Sequence, residues 1–110
     1  MANTFKLKTK ANVGVTTVGI YTAPSATTTV VIGITMANTS GSGVNVGVAV
    51  SRTSDTKDDI SLLNNAPIPS GSSLEFMSGN KIVLETNDQI NVDSDTNNSV
   101  DAALTIMEIT

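Results

Sequence analysis

Apolar and polar residues alternate with period two along most of this chain, which is the pattern of strands with one buried face. Val44, Val46, Val48 and Val50 alternate strictly with small or polar residues and give the cleanest such run. Residues 27–37 form a longer run rich in β-branched side chains, and alternation places Val30, Ile32, Ile34 and Met36 on one inward face. Val13, Val15, Val18, Ile20 and Tyr21 make an earlier strand-forming stretch. Ile60, Leu62 and Leu63, then Leu74 and Phe76, Ile82 and Leu84, and Ile90 and Val92 are shorter ones. The last strand carries Val100, Ala102, Leu104 and Ile106 on one face. Turn-forming segments separate these runs: Ala23-Pro24-Ser25-Ala26, Asn38-Thr39-Ser40-Gly41-Ser42-Gly43, Pro69-Ser70-Gly71, Ser78-Gly79-Asn80, Thr86-Asn87-Asp88 and the Asx-rich stretch 93–99.

Eight or so strands at this spacing, with no helical period between them, predict an all-β, antiparallel two-sheet β-sandwich. Eight strands in two sheets suit a jelly roll, with an immunoglobulin-like topology as the alternative. Pro67 and Pro69 belong at a sheet edge or outside the ladders, because proline lacks the N–H that a ladder needs. Gly33 and Gly47 lie inside strand patterns and mark bulges or close backbone approaches. The first residues read differently. Lys6, Lys8 and Lys10 alternate with Phe5, Leu7 and Thr9, so residues 1–12 read as a basic N-terminal arm on a sandwich of residues 13–110. Such an arm is either a solvated edge strand or a docking element lying on an acidic neighbour, with Phe5 and Leu7 seeking cover.

Composition narrows the function classes. With 110 residues the chain suits one domain. Aromatic residues make up only 3%, so the core is thin and burial against other chains, including copies of itself, is expected. There is no cysteine and no histidine, which removes disulfides, thiolate metal sites and the commonest general base. A formal charge of −4 argues against nucleic acid as a partner. No apolar run is long enough to span a bilayer, and the first residues lack the apolar stretch of a secretory signal, so assembly in a cytoplasm is expected. No nucleophile–base pair, phosphate loop or cofactor motif is present, and a non-enzymatic role without a cofactor follows.

Two acidic groups are the remaining chemical candidates. Asp93, Asp95 and Asp101 place oxygen ligands at spacings that a calcium loop uses. Asn98 stands where the sharp-turn glycine belongs and Leu104 where the bidentate glutamate belongs, so a plain hairpin turn is the better reading. Asp55, Asp58 and Asp59, interrupted by Lys57, read as a solvated loop.

Several segments together resemble the small virion structural proteins of tailed marine phages, the cyanophage type especially. They are Tyr21-Thr22-Ala23-Pro24 leading into residues 27–34, Met36-Ala37-Asn38-Thr39, residues 67–75, Lys81-Ile82-Val83-Leu84-Glu85 and the closing residues 104–110. Similar sequences carry glycine where this one has Ala26 and Asn87. The resemblance covers nearly the whole chain, and its motifs are turn and strand patterns without catalytic residues. It implies a virion protein partnered by other virion proteins (a major capsid protein, or tail or neck proteins). Within that family, a capsid decoration or cement protein docking on the head is the first expectation and a tail, neck or fibre-attachment protein the second. A host-surface glycan-binding module is the alternative of another class.

Overall fold

The computed structural model describes residues 2–52, 58–76 and 81–110. Among these there are nine strands and no helix: β1 (Asn3–Val13), β2 (Val18–Thr22), β3 (Thr28–Asn38), β4 (Val44–Ser51), β5 (Ile60–Ile68), β6 (Ser73–Phe76), β7 (Ile82–Leu84), β8 (Gln89–Ser94) and β9 (Val100–Ile109). All strand pairs are antiparallel. One sheet runs β1-β9-β3-β6, with β7 also on β3, and the other runs β2-β8-β4-β5. β6 pairs with Ile34–Ala37 and β7 with Thr29–Val31, so the two share one track beside β3. Counted as one interrupted strand, they leave two four-stranded sheets wound as a jelly roll rather than as an immunoglobulin domain.

The strand beyond the eight expected from the alternation is β1. The arm expected over residues 1–12 is from Asn3 onward part of β1, which forms the edge of the first sheet and pairs in register with β9 from Asn3↔Ile109 to Lys10↔Ala102. The stretch expected to run unbroken from Val13 to Tyr21 is divided. Val13 closes β1 and is buried, Val15 is exposed, and β2 begins only at Val18.

The inner faces interdigitate as the alternation requires. Val44, Val46, Val48, Val50, Ile68, Ile90 and Val92 from one sheet meet Val31, Ile34, Met36, Leu84, Val100, Ala102, Leu104 and Ile106 from the other. β3 departs from expectation. Its pairing with β9 slips between Val31 and Gly33, leaving Ile32 as the bulged residue. One extra residue flips the side-chain alternation. Val31 therefore faces inward before the bulge and Ile34 and Met36 after it, while Val30 and Ile32 are half-buried outside the core. Gly47 fulfils its expectation too: the pairing of β4 with β5 shifts register between Val46 and Val48. Pro67 lies on β5, which pairs only with β4 and is an edge strand.

Turn chemistry closes the ends of the sandwich. Asn38 is buried, donates from Nδ2 to the Ser42 and Ile68 carbonyls, and accepts from the Ser40 amide and hydroxyl. Arg52 donates from Nε to both Asp88 carboxylate oxygens at 3.2 Å and pairs with Glu85, tying the end of β4 to the β7–β8 turn. Ala26 and Asn87 both adopt positive φ, 54° and 72°, where glycine is at ease.

Candidate functional site

Two features of the first sheet stand out: the free edge of β1 and the outer face that β1 borders. Cross-strand partners share a face. Lys6, Lys8 and Lys10 pair with Ile106, Leu104 and Ala102, all buried, and so lie on the inward side. Phe5, Leu7 and Thr9 consequently point outward. Phe5 is 68% exposed and Leu7 63%, the two most exposed large apolar side chains among the described residues. Registers extend this outer row across the sheet: Val83 pairs with Val30, Val30 with Met107 and Met107 with Phe5. The result is an apolar stripe from one edge to the other, with Val83 at 56% exposure and Phe5 at its ends. Beside it, Gly33, Ala103, Thr35 and Thr105 line a shallow depression.

The backbone of β1 is also available. Ala2 and Thr110 exchange both amide bonds, at 3.0 and 2.9 Å. In an antiparallel ladder, hydrogen-bonded and non-hydrogen-bonded pairs alternate. The even-numbered residues of β1 therefore bond to β9, and Asn3, Phe5, Leu7 and Thr9 aim their N–H and C=O groups away from it. Other sheet edges are less open. β5 carries Pro67 and two register shifts, β2 has five residues and one shift, and β6 and β7 have four and three residues. Proline, register shifts and short length blunt a pairing edge, and β1 has none of these over Asn3–Lys10; its edge lysines lie on the inner side, with Lys6 paired to Glu108.

Beneath β1 lies a buried polar cluster that the sequence analysis missed. Lys6 Nζ sits 2.8 Å from Glu108 Oε1, and Glu108 is buried. The Tyr21 hydroxyl donates to Glu108 Oε2 at 2.6 Å. With its one proton so placed, the phenol oxygen accepts from Thr29 Oγ1 at 2.7 Å. Lys8 Nζ stands 6.0 Å from the Tyr21 ring centroid, at the outer limit of a cation–π contact. Burial above all, then the bond to Glu108, pushes the Tyr21 phenol up to about 12. Lys6, helped by the Tyr21 hydrogen bond, holds the Glu108 carboxyl below its usual range. The signal was present in the alternation, since Val100, Ala102, Leu104 and Ile106 continue at the same parity to Glu108.

The calcium candidates are not brought together. Asp93 Oδ2 accepts from Thr17 Oγ1, Asp95 Oδ1 from the Asn45 amide and Thr96, and Asp101 Oδ1 from the Asn12 amide. Among the described residues no group of three or more acidic side chains is placed to hold a metal ion. Asp55 and Lys57 lie outside the described residues, and Asp59 accepts from the Arg52 amide.

No family model and no curated protein sequence matches this chain. Among solved structures it is similar to a chain described with the finding that Bacillus endospore appendages form a novel family of disulfide-linked pili. The TM-score is 0.53 at 12% identity, over 99% of this chain and 87% of the other, a likeness of fold.

Proposed function

We propose that this chain is a non-enzymatic structural subunit that works by assembly, specifically a virion protein of a tailed phage that decorates the head. The observation that carries the assembly reading is β1: an open edge of unblocked backbone next to Phe5 and Leu7, at the end of an apolar stripe. A soluble monomer seldom leaves such a combination uncovered. The finer assignment is supported by the sequence resemblance to small phage virion proteins. A jelly roll is also an architecture used in viral capsids, although fold alone assigns no function. The partners in this reading are the major capsid protein and further copies of the chain, and the protein is packed into a particle built in the host cytoplasm. The structural neighbour comes from appendages described as disulfide-linked pili; this chain has no cysteine, so disulfides do not link its copies.

The test is cryo-electron microscopy and immunogold labelling of intact particles. Decoration predicts hundreds of copies spread over the head. A ring of copies at the neck or tail supports the tail-associated reading instead, and absence of the protein from purified particles overturns both. A glycan array separates the host-surface reading, which requires saturable sugar binding.

A further inference from the structure

We infer that the free edge of β1 pairs with β1 of a second copy, in an antiparallel, two-fold seam that fuses the first sheets of two subunits. The inference deepens the assembly reading, resting on it only for the exposure of β1. The dimer forms in solution without any particle, so failure of virion localisation and failure of the dimer are separate results.

Three observations select this occupant. The first is backbone complementarity. Asn3, Phe5, Leu7 and Thr9 carry the outward N–H and C=O groups, so these residues must face one another in the hydrogen-bonded pairs of a new ladder. One register does this while matching the apolar side chains: Phe5 opposite Leu7, Leu7 opposite Phe5, and Asn3 and Thr9 opposite each other. These are four residue pairs, each exchanging two bonds.

The second is side-chain complementarity. In that register the outer face gains a contiguous patch of two Phe5 and two Leu7 side chains, flanked by Met107 of each subunit, to which Phe5 is already paired. The apolar stripes of the two sheets become neighbours, and the two most exposed large apolar side chains among the described residues cover each other.

The third is charge. On the inner side Lys8 meets Thr4 and Lys10 meets Ala2, so only Lys6 meets its own copy, at the two-fold axis. Two opposed lysines would repel in a bare strand pair. Here each Lys6 already has a counter-ion, Glu108 Oε1 at 2.8 Å, so the seam centre holds two lysines and two glutamates in balance. The other edges offer no equal alternative, being interrupted by proline, register shifts or short length. A two-fold edge contact is closed, giving a dimer and not a fibre.

The experiment is sedimentation velocity on the full chain over a wide concentration series, with three variants. The wild type sediments as a dimer that dissociates on dilution. Leu7→Pro removes an N–H that points away from β9, a position where an edge strand tolerates proline. It is expected to weaken dimerisation by roughly a hundredfold or more while the circular dichroism spectrum is retained. Lys6→Cys places the chain's single thiol on the two-fold axis, at a Cα separation of about 4.5 Å that allows a disulfide. It is expected to cross-link on oxidation, whereas Phe5→Cys, opposite Leu7, is not. If Leu7→Pro fails to fold, the cysteine pair still decides. A wild type that is monomeric at every concentration overturns the inference, as does an unweakened dimer in folded Leu7→Pro. Cross-linking through position 5 and not position 6 does so equally.

Discussion

Tyr21 is the only tyrosine of the chain, and there is no tryptophan, so its ionisation can be read directly from phenolate absorbance in the near ultraviolet. The structure predicts a midpoint near 12 in the folded protein against 10 in denaturant, chiefly because the ring is buried and also because its hydroxyl donates to the Glu108 carboxylate. A folded-state pKa above the unfolded one favours the fold while the group is protonated in both states. That contribution is complete below pH 10 and is lost as pH rises through 10 to 12. A gap of two units corresponds to about 2 to 3 kcal/mol, a large fraction of a total stability on the order of 5–15 kcal/mol. Urea unfolding at a series of alkaline pH values should show this fall in wild type. Lysines titrate in the same range, so the Tyr21→Phe variant is the reference, and the difference between the two curves isolates the phenol. Glu108→Gln should lower the Tyr21 midpoint but leave it above 10, because burial remains. A folded-state midpoint near 10 in wild type would refute the cluster, since it would mean a solvated hydroxyl without its carboxylate acceptor. On the acid side the sign reverses. Glu108 is held low by Lys6 first and Tyr21 second, so its stabilising contribution is present above pH 4.5 and disappears as pH falls through the lower folded value.

Other variants test the remaining architecture. Val46→Asp should prevent folding, because Val46 is 1% exposed at the sheet interface and an unpaired carboxylate there costs several kcal/mol; a soluble variant with native circular dichroism would show the face to be solvated. Asn38→Ala should lower stability by about 2–4 kcal/mol in chemical denaturation, since it strips hydrogen bonds from the buried Ile68 carbonyl and the Ser40 amide. Ala26→Gly should raise stability by up to about 1 kcal/mol, relieving a β-carbon at φ 54° at the cost of a freer unfolded chain; a fall in melting temperature would contradict that backbone conformation.

The strands and the two-sheet architecture were legible because one face of each strand is buried, and burial writes itself as alternation. Val44 to Val50 shows this without exception. β3 shows where the signal ends. Val30, Val31, Ile32 and Ile34 are all β-branched, so either parity reads as a core face, and only the bulge at Ile32 decides between them. Gly33 hinted at the bulge but could not give its direction. The Lys6–Glu108–Tyr21 cluster spans nearly the whole chain, and the pairing of β1 with β9 that assembles it is a long-range event. Lys6, Lys8 and Lys10 read as one charged face, which they are, yet that face turns toward the sandwich and not away from it. The exposure of Phe5 and Leu7 was foreseeable from the same alternation, but the stripe through Met107, Val30 and Val83 needed the registers.

The pairing of β1 with β9 also sets an order of events during synthesis. A ribosome releases residues 3–13 well before residues 100–109, the strand that covers one side of them. At typical elongation rates of about 5–20 residues per second, β1 waits on the order of 5–20 s with both edges bare. An exposed strand bearing Phe5 and Leu7 is open in that interval to capture by any neighbouring nascent chain. Lysine at every second position charges such a strand, and charge interspersed with apolar residues is how sequences restrain premature association. Lys6, Lys8 and Lys10 put such charge on β1, and in the finished fold the first of them joins Glu108, carried by the same strand that covers it.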